Sequence, residues 1–232
     1  MAQINRIIYL MQVPMSAREY VRFGAELYVS RGLSVEVWNC APFLNPGYAT
    51  AEAPAPVACR NISDGGEVRT ALHGLAPTDA VINLLPRRML TLGIHQALGH
   101  CAARDVTVRT NALPLPGASF RQRLLKLSPG KLADFLISRP RIWNKLVPRP
   151  ERIIYGGTVC RPAPGETPRP ISGHALDYDL FLQAPAVAER EPIAVFLDQC
   201  FPFHPDFQVT RSKAPATEAR YYPSPCGFFD QL

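Results

Sequence analysis

At 232 residues, with an apolar share of 47% and a charged share of 19%, the chain has enough material for a sizeable core, which excludes wholesale disorder. Its 25 Lys and Arg outnumber 19 Asp and Glu for a formal charge of +6, which favours anionic partners such as phosphates, nucleotides, acidic lipids or nucleic acid. The six cysteines include no CxxC pair, which argues against a zinc site or disulfide framework and for reduced cytosolic thiols, and no apolar run reaches the ~18 residues of a membrane span.

Met1 to Met15 lacks a basic leader and a small-residue cleavage site, so it reads as a first strand, Ile7-Ile8-Tyr9-Leu10, rather than as a signal peptide. Ser16 followed by Glu19 is a capping box. Tyr20, Phe23, Leu27 and Val29 then keep a helical period, which predicts one helix running to Gly32. Leu33 to Trp38 alternates as a second strand, completing a βαβ unit. The Pro- and Ala-rich stretch 40–63 predicts a loop with a short strand near Val57.

Further along, the pattern predicts a helix over 64–75, a strand over 80–84, a helix over 89–104 and a strand over 106–110. Strands and helices alternating in this way imply an α/β fold with a Rossmann-like parallel sheet flanked by helices. From Ser119 the chain turns basic. Arg121, Arg123, Lys126, Lys131, Arg139, Arg141, Lys145, Arg149 and Arg152 face only Asp134 and Glu151 over 121–152. Phe120, Leu124, Leu125, Phe135, Ile137, Trp143 and Leu146 alternate with them, predicting three short basic amphipathic helices. Such helices either form a solvated face or lie on an anionic membrane; no helix-turn-helix, RRM or KH signature points to specific nucleic acid.

Ile153 to Tyr155 reads as a strand entering Gly156-Gly157-Thr158, which either turns the chain or brings backbone N–H groups to a phosphate. There is no GxGxxG, P-loop or Gly-x-Ser-x-Gly. A Pro-rich link over 161–170 leads to His174 and Asp177-Tyr178-Asp179. This D-x-D spacing either opens a solvated helix or, if extended, lets two carboxylates share Mg²⁺ or Mn²⁺. After a linker from Pro185 to Pro192, Ile193 to Leu197 forms an apolar strand ending in Asp198, with His204 and Asp206 in the loop that follows. A carboxylate at a strand mouth and a stiffly held His suit a general base with Asp206 as orienting group, or a polar hinge between domains. Cys200 reads as a structural thiol. The expected division is residues 1–184 as the Rossmann-like domain and 185–232 as a linker and the incomplete start of a second α/β domain.

The opening βαβ of residues 4–39, His174 to Leu182, Phe196-Leu197-Asp198 with Phe203-His204-Pro205-Asp206, and Tyr221-Tyr222-Pro223 with Phe228-Phe229-Asp230 together resemble a bacterial GT-B-type glycosyltransferase of surface-polysaccharide (O-antigen or capsule) biosynthesis. The resemblance implies two facing Rossmann-like domains. The N-terminal one would hold a glycan or lipid-linked acceptor, and a second domain, completed by further chain or a partner, would hold a nucleotide-sugar donor. Catalysis would need no metal cofactor, except in the alternative that uses Asp177 and Asp179. It would take its base from Asp198 or His204, with Gly156, Gly157, Thr158, His174, Asp177 and Asp179 contacting substrate. Arg121, Arg123, Lys126, Arg139, Arg141 and Lys145 would rest on the anionic inner-membrane surface of the cytoplasm. A non-catalytic binding or assembly protein at a membrane or acidic partner is the other class of function the residues allow.

Overall fold

The structure is a computed structural model that describes residues 3–45, 56–110, 129–174, 178, 182, 201–203 and 216–223. The chain forms two compact units, 1–44 with 50–183 and 45–49 with 184–232. In the second, the described residues include helix Glu218–Tyr221 and a stacked ring pair, Phe203 and Tyr222, 6.4 Å apart.

The first unit is built on a seven-stranded, all-parallel sheet. Its strands are β1 (Arg6–Met11), β2 (Ser34–Asn39), β3 (Ala58–Asn61), β4 (Asp79–Asn83), β5 (Arg104–Arg109), β6 (Arg152–Gly156) and β7 (Arg169–Gly173), in the order β3-β2-β1-β4-β5-β6-β7. β1 and β4 are buried along nearly their whole length because helices cover both faces of the central strands. The α/β Rossmann-like class expected from the alternation is therefore present.

Two cores lie on opposite faces. On one, Ile8, Leu10, Trp38 and Val81 pack with Val68 and Leu72 of α4 (Gly65–His73) and Ile94 and Leu98 of α5 (Met89–His100). On the other, Ile7, Tyr9, Val35, Val37 and Ile82 pack with Tyr20, Ala25 and Tyr28 of α1 (Ala17–Arg22) and α2 (Ala25–Ser30). A short α3 (Ala41–Leu44) follows β2. At the N-terminal edge, Arg6 forks onto Asp79 at 3.0 and 2.7 Å, tying paired positions of β1 and β4 and holding the Asp79 carboxyl below its ordinary range.

Several boundaries differ from expectation. The helix predicted over 16–32 is two helices, because Gly24 takes a φ of +72° that only glycine adopts easily, breaking the run that Phe23 and Leu27 suggest. Ser16 caps the first as foreseen, accepting from Glu19 N–H at 3.5 Å. α5 ends at His100 rather than 104, because β5 begins there. The Pro-rich link over 161–170 ends in an unforeseen strand, β7; this exposed edge strand carries no core pattern that sequence could display.

Of the three basic helices, the second and third are α6 (Pro129–Ile137) and α7 (Pro140–Leu146); the first, over 120–128, lies outside the described residues. Ile137, Trp143 and Val147 form a small core with Leu92 of α5. Asp134 accepts from Met89 N–H at 2.8 Å, and Gln96 donates to the Leu146 carbonyl at 3.0 Å. Close approach completes the docking, since a Cβ on Gly99 would lie 2.4 Å from Pro148 Cβ. Gly99→Ala should therefore lower the melting temperature. The roughly 1 kcal/mol that alanine offers a helix is outweighed by about 1–3 kcal/mol of overpacking. A higher melting temperature would show that Pro148 yields freely.

Candidate functional site

Order reverses between β1 and β4, which are neighbours although β1 also pairs with β2. At such a switch point the loops leave in opposite directions and open a crevice beyond the carboxyl ends of the strands. A cleft of about 350 Å³ occupies that place. Met11, Gln12 and Val13 leave β1; Asn83, Leu84, Leu85 and Arg87 leave β4; Thr107 to Thr110 end β5; Phe23 completes the wall. Phe23 is held from behind, where the buried Tyr9 hydroxyl donates to its carbonyl at 2.8 Å.

Among the described residues, the charged side chains lining the cleft are Arg87 and Arg109, and both converge on Glu166. Arg87 Nη2 donates to Glu166 Oε1 at 3.0 Å, and Arg109 Nη2 donates to the same oxygen. Glu166 sits in the β6–β7 loop, is 3% exposed, and accepts the Ala163 N–H at Oε2, 3.1 Å away. One buried carboxylate thus fixes two guanidiniums and leaves one unit of positive charge. Arg87 also lies over the Trp143 ring, 5.6 Å from its centre.

The loop that carries Arg87 is itself held from below. Asn83 Oδ1 accepts from Leu85 N–H at 3.1 Å, and its amide nitrogen meets His95 Nδ1 at 3.1 Å. His95 Nε2 faces the Pro86 carbonyl at 3.3 Å, to which the Thr91 hydroxyl also donates at 2.6 Å. These partners require one neutral tautomer, with Nδ1 accepting and Nε2 donating. Burial pushes the His95 pKa down to about 4, so it stays neutral under ordinary conditions. Trp143 closes the network edge-on, 4.8 Å from the His95 ring. Asn39 plays the corresponding part at the end of β2, accepting from Ala41 N–H at 3.1 Å and donating to Asn61 at 2.8 Å. The nearby Cys40 thiol is pushed by burial up to about 12, consistent with a structural role.

Gly156, Gly157 and Thr158 lie at the end of β6 and the turn beyond it, where Gly157 has a φ of +71°. They are not among the residues lining the cleft. His174 follows β7 and is exposed, its ring 4.7 Å from that of Tyr178. Arg139, Arg141 and Lys145 are exposed on and before α7. Asp177, Asp179, Asp198, His204 and Asp206 lie outside the described residues, as do Arg121, Arg123 and Lys126. Among the described residues there is no cluster of three or more metal-ligating side chains.

Sequence reasoning missed Arg87, Arg109 and Glu166. The arginines left a readable signal: a cation closing, or just following, an otherwise apolar strand marks a strand mouth. Glu166 left none, because it lies in a Pro-rich stretch far along the chain from both partners.

No protein-family profile matches this chain, and no curated protein matches it.

His95 makes stability depend on acidity in a definite direction. Its folded pKa lies below its ordinary 6.5, so its contribution is complete above about pH 6.5 and is lost as pH falls toward 4, by about 3 kcal/mol. Urea unfolding at pH 7 and pH 4.5 should show this loss. His95→Gln keeps an acceptor and a donor without titrating, so it should flatten the dependence. An identical pH slope in the variant would contradict this role for His95.

Proposed function

We propose that this chain is the acceptor-side part of a GT-B-type glycosyltransferase of bacterial surface-polysaccharide synthesis. It would take a sugar from a nucleotide-sugar donor to a glycan or lipid-linked acceptor. The observation that carries the reading is the switch-point cleft on an all-parallel Rossmann-like sheet. Its lining suits a sugar: Val13 and Phe23 offer apolar surface to ring faces, while Gln12, Thr107 and Thr110 offer hydrogen bonds to hydroxyls. In this reading Asp198 or His204 supplies the base, and Asp206 orients the imidazole.

The surface of α7 supports a workplace at an anionic membrane. Ile142 and Leu146 are exposed one turn apart, and Arg141 and Lys145 form the adjoining row, with Arg139 just before the helix. Aliphatic side chains beside cations fit the boundary between acidic headgroups and acyl chains. No described helix is long and apolar enough to cross a membrane.

Transfer of labelled sugar from a panel of nucleotide sugars to glycan and vesicle-borne acceptors, by the chain together with a donor-binding domain, tests the enzyme reading. Activity with one donor, reduced about a hundredfold or more by His204→Ala, is the expected result. Absence of transfer, together with absence of any thermal shift from donor or acceptor, would overturn it and leave a non-catalytic binding module. Attachment is tested separately by sedimentation with vesicles. Arg141→Ala/Lys145→Ala should weaken binding to acidic vesicles about tenfold or more. Equal binding by variant and wild type would remove α7 from the contact.

A further inference from the structure

We infer that the Arg87–Glu166–Arg109 cluster is a preorganised phosphate site, and that the molecule held in the switch-point cleft carries a phosphate or diphosphate group. This rests on the reading of the cleft as the binding site and names the class of substrate it takes.

Among the described residues, those lining the cleft include two arginines and no carboxylate. Glu166 lies behind them, buried and turned away to the Ala163 N–H. Each guanidinium carries five N–H donors in a planar fork, and the hydrogen bond to Glu166 occupies one on each. The remaining donors belong to side chains that are 22% exposed in the cleft wall.

A ligand need not arrange this pair. Arg87 is held by Glu166, by the Trp143 ring and by a loop pinned through Asn83, Thr91 and His95; Arg109 is held by Glu166 and by its place in β5. Fixed donors lose little side-chain freedom on binding, which favours affinity. The excess positive charge excludes a cationic ligand. Two guanidiniums with the Thr107 and Thr110 hydroxyls and the Gln12 amide offer more donors than two carboxylate oxygens accept, whereas phosphate oxygens can use them. The phosphate is therefore gripped by side chains, consistent with the absence of a P-loop.

Arginine modification on the intact wild-type chain tests this without risk of misfolding. Phenylglyoxal labelling, read residue by residue by mass spectrometry, should slow at Arg87 and Arg109 on adding pyrophosphate or glucose 1-phosphate, while the exposed Arg31 is unaffected. Unphosphorylated glucose should protect neither. Polyprenyl phosphate in vesicles forms a second arm. Stronger protection there than by glucose 1-phosphate identifies a lipid-linked phosphate, and the reverse identifies a soluble one. Arg109→Gln should weaken pyrophosphate binding about tenfold or more, since it removes a charge-assisted hydrogen bond to the phosphate. Equal labelling with and without every phosphate compound would overturn the inference. If a neutral glycan binds while no phosphate protects, the phosphate site fails and the sugar-transfer reading stands. If phosphate protects but no sugar is ever transferred, the reverse holds.

Discussion

The carboxylate of Glu166 is the constraint on which the carboxyl edge of the sheet depends. It reaches guanidiniums that follow β4 and end β5, so three segments far apart in the chain meet at one charge. A buried carboxylate between two cations is tolerable because both pair with it and a backbone N–H takes its other oxygen. Removing it would leave two like charges facing each other in a half-buried site, and breaking a buried ion pair from one side typically costs about 3–5 kcal/mol. The cluster therefore shapes the cleft as well as charging it.

The two edges of the sheet use similar chemistry to different ends. At the amino edge Arg6 and Asp79 form a forked pair between strands already in register, and the Asp79 carboxylate also accepts the Ala76 N–H at 2.8 Å. That arrangement closes on itself. At the carboxyl edge the polar groups serve the loops: Asn39 and Asn83 accept backbone N–H groups two residues on, which starts the turns, and His95 supports the second of them. At this edge the guanidiniums of Arg87 and Arg109 also line an open cleft. The α6–α7 pair enters the same scheme, because Trp143 touches both His95 and Arg87 while the outer side of α7 keeps its aliphatic and basic rows.

The architecture was legible where burial imposed a pattern. Ile7 to Leu10 and the alternating Leu33 to Trp38 announce strands because the core dictates their spacing, and Asp64 announces the start of α4 by accepting the Glu67 N–H. What escaped sequence reasoning had no such pattern. Gly24 interrupts a helical period that its neighbours continue, so nothing apolar marks the break. β7 includes Pro170 and is exposed along its length; pairing with β6, rather than propensity, makes it a strand. Of the site, the end of β4 as a loop mouth follows from its apolar run, but the pairing of Arg87 and Arg109 with Glu166 spans 79 and 57 residues. Only the fold brings such groups together.

A structure of the protein with a bound sugar phosphate tests the central claim most directly. The account predicts the phosphate in the switch-point cleft, within hydrogen-bonding distance of both Arg87 and Arg109, with Glu166 still buried behind them. A phosphate bound elsewhere while the cleft stays unoccupied at saturating ligand would contradict it.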